Sequence, residues 1–160
     1  MWIFFHMLMI LFILVSCAEE EKKVSTGKPL PDSGFRAELR IKEMPSEIRR
    51  GEKVVAVVTV KNISDQTWPS KGDSRGYYGV NLGYQLFDEA DHPLTVEIER
   101  TFLPKDLNPS DSLELSAVLK APDKPGKYTI RFDMVQEAVA WFGHKNKDNY
   151  SNGGQIVVGP

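Results

Sequence analysis

From Phe35 to Pro160 the chain alternates apolar and polar side chains with a period of two, and that pattern suits only extended backbone. "FRAELRIKE" puts Phe35, Ala37, Leu39 and Ile41 on one side and Arg36, Glu38, Arg40 and Lys42 on the other, as in a strand with one wet face. "EKVVAVVTVKN" is rich in β-branched residues, "YGVNLGYQLFD" aligns Val80, Leu82, Tyr84 and Leu86, and "SLELSAVLKA" aligns Leu113, Leu115, Ala117 and Leu119. "GKYTIRFDMV" sets Tyr128, Ile130, Phe132 and Met134 against Thr129, Arg131 and Asp133. Turn residues separate the runs at Arg50-Gly51, Asp88 to Asp91, Asn108 to Asp111 and Pro122 to Gly126. No stretch sustains a helical period. The expectation is an all-β domain: an antiparallel two-sheet sandwich of immunoglobulin or fibronectin III type, with a small open barrel as the alternative.

The chain has one cysteine, Cys17, which excludes an internal disulfide and a four-cysteine zinc site. A sandwich without a disulfide must hold by packing, and Trp68, Tyr84, Phe102, Tyr128 and Phe132 are expected to supply its large core side chains.

Ahead of the domain, Met1 to Val15 is apolar apart from His6 and shorter than the roughly 20 residues of an unmodified spanning helix. Residues 1–16 are expected to be a signal peptide, because Leu14-Val15-Ser16-Cys17 resembles the bacterial lipobox, whose cysteine is acylated and becomes the mature first residue. No Lys or Arg precedes the apolar run, a departure from that pattern, and an uncleaved membrane anchor is the alternative. Both tether the protein to a membrane, and the palmitate-type chains implied by the lipobox make the attachment durable. Residues 17–34 are charged and rich in Pro and Gly, so they read as a lipidated flexible tether; residues 35–160 are the folded domain. By likeness to lipoprotein sorting, Ala18 after the cysteine favours the outer membrane of a diderm envelope.

Several phrases of the domain together resemble a family. "VVTVKNISDQTW", "VNLGYQLFDEAD", "RTFLPKDLNP" and "VLKAPDKPGKYTIRFDMVQEAVAWF" are similar to the Ig-like accessory domains of bacterial glycosyltransferases and methyltransferases. They also resemble the tryptophan-containing Ig-like domain of an autophagy cargo receptor. The likeness covers residues 47 to 158, and its most specific part is Asp133 to Glu137 followed by Trp141-Phe142. Ala138 and Ser110 stand where glycine is expected. The resemblance implies a noncatalytic binding or spacer module.

A formal charge of −2 lacks the basic excess that phosphates require, so no nucleic acid is expected as partner. Enzymatic phrases are weak. "GDSRG" resembles part of a serine-protease motif without a positioned His and acid, and "DEAD" at Asp88 reads as a hairpin turn, with a Ca²⁺ loop as the lesser option. Glu97 and Glu99 read as a charged outer face. No catalytic residue, cofactor or metal is expected. Arg100 shares strand parity with Val96, Ile98 and Phe102 and should face inward, where Asp133 or Glu137 would complete a structural ion pair. Trp141 fits either the core or a stacking platform for a sugar ring. The candidate binding residues are Trp68 and Tyr78 in one loop, and Trp141, His144 and Tyr150 in or beside another. These features favour a membrane-anchored recognition module of the bacterial cell envelope that binds a glycan or a partner protein. The alternatives are an assembly lipoprotein that pairs through an exposed sandwich edge and a small proteinase inhibitor.

Overall fold

The computed structural model describes residues 27–95, 98–151 and 153–160; the expected signal peptide, Cys17 and the start of the tether lie outside the described residues. The alternating runs become strands β1 (Ala37–Glu43), β2 (Glu47–Arg49), β3 (Lys53–Asn62), β4 (Val80–Phe87), β5 (Thr101–Phe102), β6 (Ser112–Lys120), β7 (Gly126–Gln136), β8 (Ala140–Trp141) and β9 (Gly154–Gly159). A one-turn helix, α1 (Phe142–Lys145), follows β8. One sheet has the order β1-β3-β6 and the other β2-β9-β7-β4-β5, with β8 added beside β7. The fold is the expected all-β sandwich. Pairing is antiparallel throughout except where β2 runs parallel to β9, Glu47 opposite Val157. Pro45 explains the exception. It has no N–H to donate to a ladder, so the chain leaves the first sheet after β1 and joins the second in the same direction. Among the described residues no helix is long and apolar enough to cross a membrane.

The inward faces close on one core. Ala56, Val58 and Val60 of β3 and Leu115, Ala117 and Leu119 of β6 meet Leu82, Tyr84 and Leu86 of β4 and Ile130, Phe132 and Met134 of β7, all buried. At the flank the Tyr84 hydroxyl accepts the Lys120 N–H at 3.1 Å, a tie between the sheets. One end is sealed by aromatics. Phe142 meets Trp68 edge-on at 5.1 Å and Phe35 at 4.9 Å, and the Trp68 indole N–H donates to Gly34 O at 2.9 Å.

One expected core residue lies elsewhere: Phe102 is 70% exposed. Tyr128 packs against the core at its rim, half-buried, with its hydroxyl donating to Lys124 O. The tether boundary also differs. Residues 28–34, expected to be flexible, are docked: Leu30 N–H donates to Gln136 Oε1 at 2.8 Å, and Gln136 Nε2 donates to Lys28 O and Tyr78 O. A buried side-chain amide supplies what the segment's composition lacks, since it satisfies backbone groups that a hydrophobic count ignores.

Asn149 does the same at the sealed end. Its side chain accepts the Ala37 N–H at 2.9 Å and donates to Phe35 O and Phe142 O, so one amide joins β1, the preceding segment and α1. The hairpin from β7 to β8 closes through Val139 N–H to Gln136 O, with Ala138 at φ 59°; Ser110 sits at φ 71°. These are the two positions where the family resemblance led us to expect glycine, and a Cβ in this region is strained. Asn149→Ala is expected to cost about 2–4 kcal/mol, since it orphans the Ala37 N–H and Phe35 O and leaves Phe142 O only the Asn146 N–H. Ala138→Gly is expected to gain up to about 1 kcal/mol. Urea unfolding midpoints of the two variants check both signs.

Candidate functional site

Residues of odd number on β4 and β7 point away from the core, and they are not the wet face that alternation suggests. Gly83 lies opposite Asp133 and Asn81 opposite Val135, and all four are buried. The cover is supplied by the chain after β7. Trp141 of β8 pairs with Val135 and lays its ring across β7 onto Gly83, where a Cβ would stand 2.7 Å from the indole. The Arg100 guanidinium stacks over the ring 4.5 Å from its centroid, with Nη1 3.3 Å from the same Cβ position. Arg100 Nε donates to Glu137 Oε1 at 3.0 Å, and the same oxygen accepts from Asn81 Nδ2 at 3.0 Å. Both charged side chains are about one quarter exposed, at 26% and 27%. Asn81 Oδ1 is buried and has no hydrogen-bond partner among the described residues. Opposite Asn81, in register, stands the exposed Phe102.

Beside this group, both oxygens of Asp133 accept the Gly143 N–H, at 3.1 and 3.0 Å. Burial pushes the Asp133 carboxyl up to about 7, against the pull of the Gly143 and Met134 amides. Tyr150 packs against Gly143, where any Cβ would overlap its ring. Burial, and then the nearby Asp133 charge, push the Tyr150 phenol up; a hydrogen bond with Gln85 opposes them. Asp133 thus holds down the α1 loop, and Tyr150 closes over it.

The structure brings Arg100, Glu137 and Trp141 together and places Asp133 and Tyr150 next to them. Arg100 chooses Glu137, not Asp133, and it does so on the outer face. The inward expectation failed because residues 94, 95 and 98–100 form no strand, so parity counted back along that segment has no meaning. Trp68 is fully buried and belongs to the core, not to a binding loop. Tyr78 is half-buried at φ 74°, its backbone bonded to Glu137 and Gln136. His144 is exposed on α1. Trp141 is half-buried, its indole edge on Gly83 and the Arg100 guanidinium over its ring, where a sugar ring would have to displace it. The "DEAD" turn closes on itself, Asp88 accepting the Ala90 and His92 amides, and Asp73 of "GDSRG" likewise accepts the Arg75 and Tyr77 amides. Among the described residues no group of three or more His, Cys, Asp or Glu side chains is placed to hold a metal ion. Glu97 lies outside the described residues. Sequence reasoning missed Phe102 and Asn81 as surface and site residues. The signal was present in "VNLGYQLF": a short strand paired beside Asn81 must share its outward face.

The family described as the Ig-like domain from next to BRCA1 gene matches residues 43–146. The chain belongs to that family. No curated protein matches it. Among solved structures it is similar to the CARDB domain of a Pyrococcus furiosus protein, at 16% identity and TM-score 0.43, over 76% of this chain and 93% of that one. It is also similar to a β-glucosidase from Listeria innocua in complex with gluconolactone, at 18% identity and TM-score 0.43, over 78% of this chain and 16% of that enzyme. A third is the Pseudomonas fluorescens alkylpurine DNA glycosylase AlkC, at 10% identity and TM-score 0.44, over 77% of this chain and 29% of that one. An Ig-like domain is a binding and recognition fold, and in this member the recognition surface has to be sought among its own residues.

The elevated Asp133 carboxyl makes the domain pH-dependent. The native state holds that proton to a higher pH than the unfolded chain does, so this group's contribution is fully present below about pH 4 and is lost as pH rises towards about 7. The expected difference is on the order of 3 kcal/mol. Asp133→Asn, which keeps an acceptor for Gly143, should flatten the dependence and raise stability at pH 8. Urea titrations of both proteins at pH 5 and pH 8 check it.

Proposed function

We propose that the chain is a noncatalytic recognition module, held at the bacterial cell envelope by a lipid on Cys17, and that the outer face around Phe102 binds a partner protein. The observation that carries the reading is Phe102, a large aromatic left 70% exposed on the second residue of β5. Exposed singly, an apolar side chain needs no explanation. Here it borders the stacked Arg100–Trp141 pair, the Arg100–Glu137 ion pair and the unpartnered oxygen of Asn81. Aromatic and Arg side chains beside a preformed polar network are the composition of an interface hot spot. Because Glu137 and Trp141 already hold Arg100, less side-chain ordering remains for binding to cost.

The glycan reading has less support, since Arg100 occupies a face of the Trp141 ring and Tyr150 is packed on Gly143. Catalysis has little support either: Asp133, the one strongly shifted carboxyl among the described residues, spends both oxygens on a backbone amide. The envelope assignment rests on the lipobox-like phrase Leu14 to Cys17.

The test is crosslinking of the full chain in its own membrane, followed by mass spectrometry of the mature amino terminus and of the captured species. The expected result is an acylated Cys17 terminus and one protein in fixed ratio. Phe102→Glu should reduce capture at least roughly tenfold, the scale of a hot-spot residue, with its unfolding midpoint unchanged. Capture that survives Phe102→Glu, or that a defined sugar competes away, would sink the protein-partner reading; an unmodified Cys17 would sink the anchor.

A further inference from the structure

A sandwich has four sheet edges, and three of them are blunted here. β2 has three residues and β5 has two, with Pro104 close behind. β1 bulges between Ile41 and Glu43, and its Ala37 N–H is already taken by Asn149. Bulges, short strands and proline are the usual means of keeping edges from pairing. The fourth edge, β6, has none of them. It runs for nine residues without proline or glycine, in unbroken register with β3 from Lys53 opposite Lys120 to Lys61 opposite Ser112. It is the terminal strand of its sheet.

The free side of β6 can be assigned from one hydrogen bond. The Lys120 N–H leaves the ladder to reach the Tyr84 hydroxyl on the far side from β3. With a period of two, the backbone groups of Glu114, Ser116 and Val118 turn the same way. Their side chains lie on the outer face, Glu114 and Ser116 exposed and Val118 half-buried, while Leu115, Ala117 and Leu119 fill the core.

We propose that β6 pairs antiparallel with β6 of a second copy of this chain, about a twofold axis at Ala117, to form one continuous six-stranded sheet. The sequence of the strand selects this occupant and this register. A twofold axis at Ala117 sets Ser116 opposite Val118 of the second copy, both residues with free backbone groups, so the pairs that face each other are hydrogen-bonding pairs. It also sets Glu114, which meets Lys42 within its own chain, opposite Lys120 of the second copy, whose N–H stays on Tyr84; the carboxylate then lies between two cations, twice by symmetry, and opposite charges in cross-strand register stabilise while like charges repel. Side chains on the outer face agree. Val55 lies beside Val118 and Val57 beside Ser116, so the joined sheet sets Val55 and Val118 in one row with Val57 of the second copy. Val55 is 54% exposed in the single chain.

β5 lies against β6 at the same flank of the sandwich, so the two readings are told apart by residue and by readout: Phe102→Glu leaves the β6 backbone untouched, Ser116→Pro leaves Phe102 in place, and self-association is read apart from capture of another protein. The test is sedimentation equilibrium of the full chain in detergent, with four variants checked for intact fold by circular dichroism. Ser116→Pro removes an N–H that no bond among the described residues uses, so the fold should survive and the dimer should be lost. Glu114→Lys puts like charges opposite each other and should weaken the dimer about tenfold, whereas Lys42→Ala, which removes only the partner of Glu114 within its own chain, should not weaken it. Glu114→Lys combined with Lys120→Glu restores opposite charges and should recover it. A monomer at all concentrations, a dimer indifferent to Ser116→Pro, or failure of the charge swap to rescue would each overturn the proposal. Association with a different protein through β6 in place of self-pairing would overturn it as well.

Discussion

Phe142 wedged edge-on between Trp68 and Phe35 is the contact on which the rest of the molecule hangs. The two sheets have no covalent link, and the segments that close their end are not strands at all. They are the turn at Asp32–Gly34, the loop after β3 and the chain from β8 into α1. Each brings backbone groups into a dry place, and each is satisfied by a specific donor or acceptor: the Trp68 indole for Gly34, Asn149 for Phe35, Ala37 and Phe142. Phe142 also decides what its neighbour does. With Phe142 committed to the core, Trp141 must lie on the opposite face of the same sheet, and only the missing side chain of Gly83 gives the indole room to lie flat. A core residue therefore sets the position of a surface one.

Much of the fold was legible because burial in a sandwich has the same period as the strand. The inward sets of β1, β4, β6 and β7 were readable residue by residue, and the turns between them had the right chemistry. The outer face of the larger sheet was not legible, because its cover comes from chain that follows β7 and folds back over it. Alternation detects which residues share a face; it cannot tell whether water or a loop lies on that face. Phe102 failed for a related reason. Its parity was counted along a segment that is not a strand, and only the pairing with Asn81 fixes its direction. The docked residues 28–34 were missed because their attachment depends on Gln136, more than a hundred residues away in sequence.

Charge is used sparingly and in two different ways. Arg100 and Glu137 remain partly in water, and their stacking on Trp141 and bond to Asn81 give a fixed geometry where a fully exposed pair would have little. Burial favours the neutral form of Asp133, and the backbone donors of Gly143 and Met134 offset that only in part. The carboxyl is tolerated because it holds Gly143, whose lack of a side chain lets Tyr150 close over the loop. Local rules are broken most densely along the strip from Asp133 to Phe102, with single breaks at Tyr78, Ser110 and Ala138 and in the docked residues 28–34; such concentration of conflict is how a functional surface differs from its scaffold.

The hold of Gln136 on Lys28 and Leu30 has a mechanical side. Any tension that reaches the domain through the residues before Lys28 enters at the end of β7, a strand paired with β4, β8 and β9, and not at the tip of β1. The load is shared at once by the larger sheet. The first bonds to be stressed are side-chain bonds at Gln136, which can open and reform without disturbing a ladder. The segment thus works as a strain relief, yielding ahead of the sandwich it is fastened to.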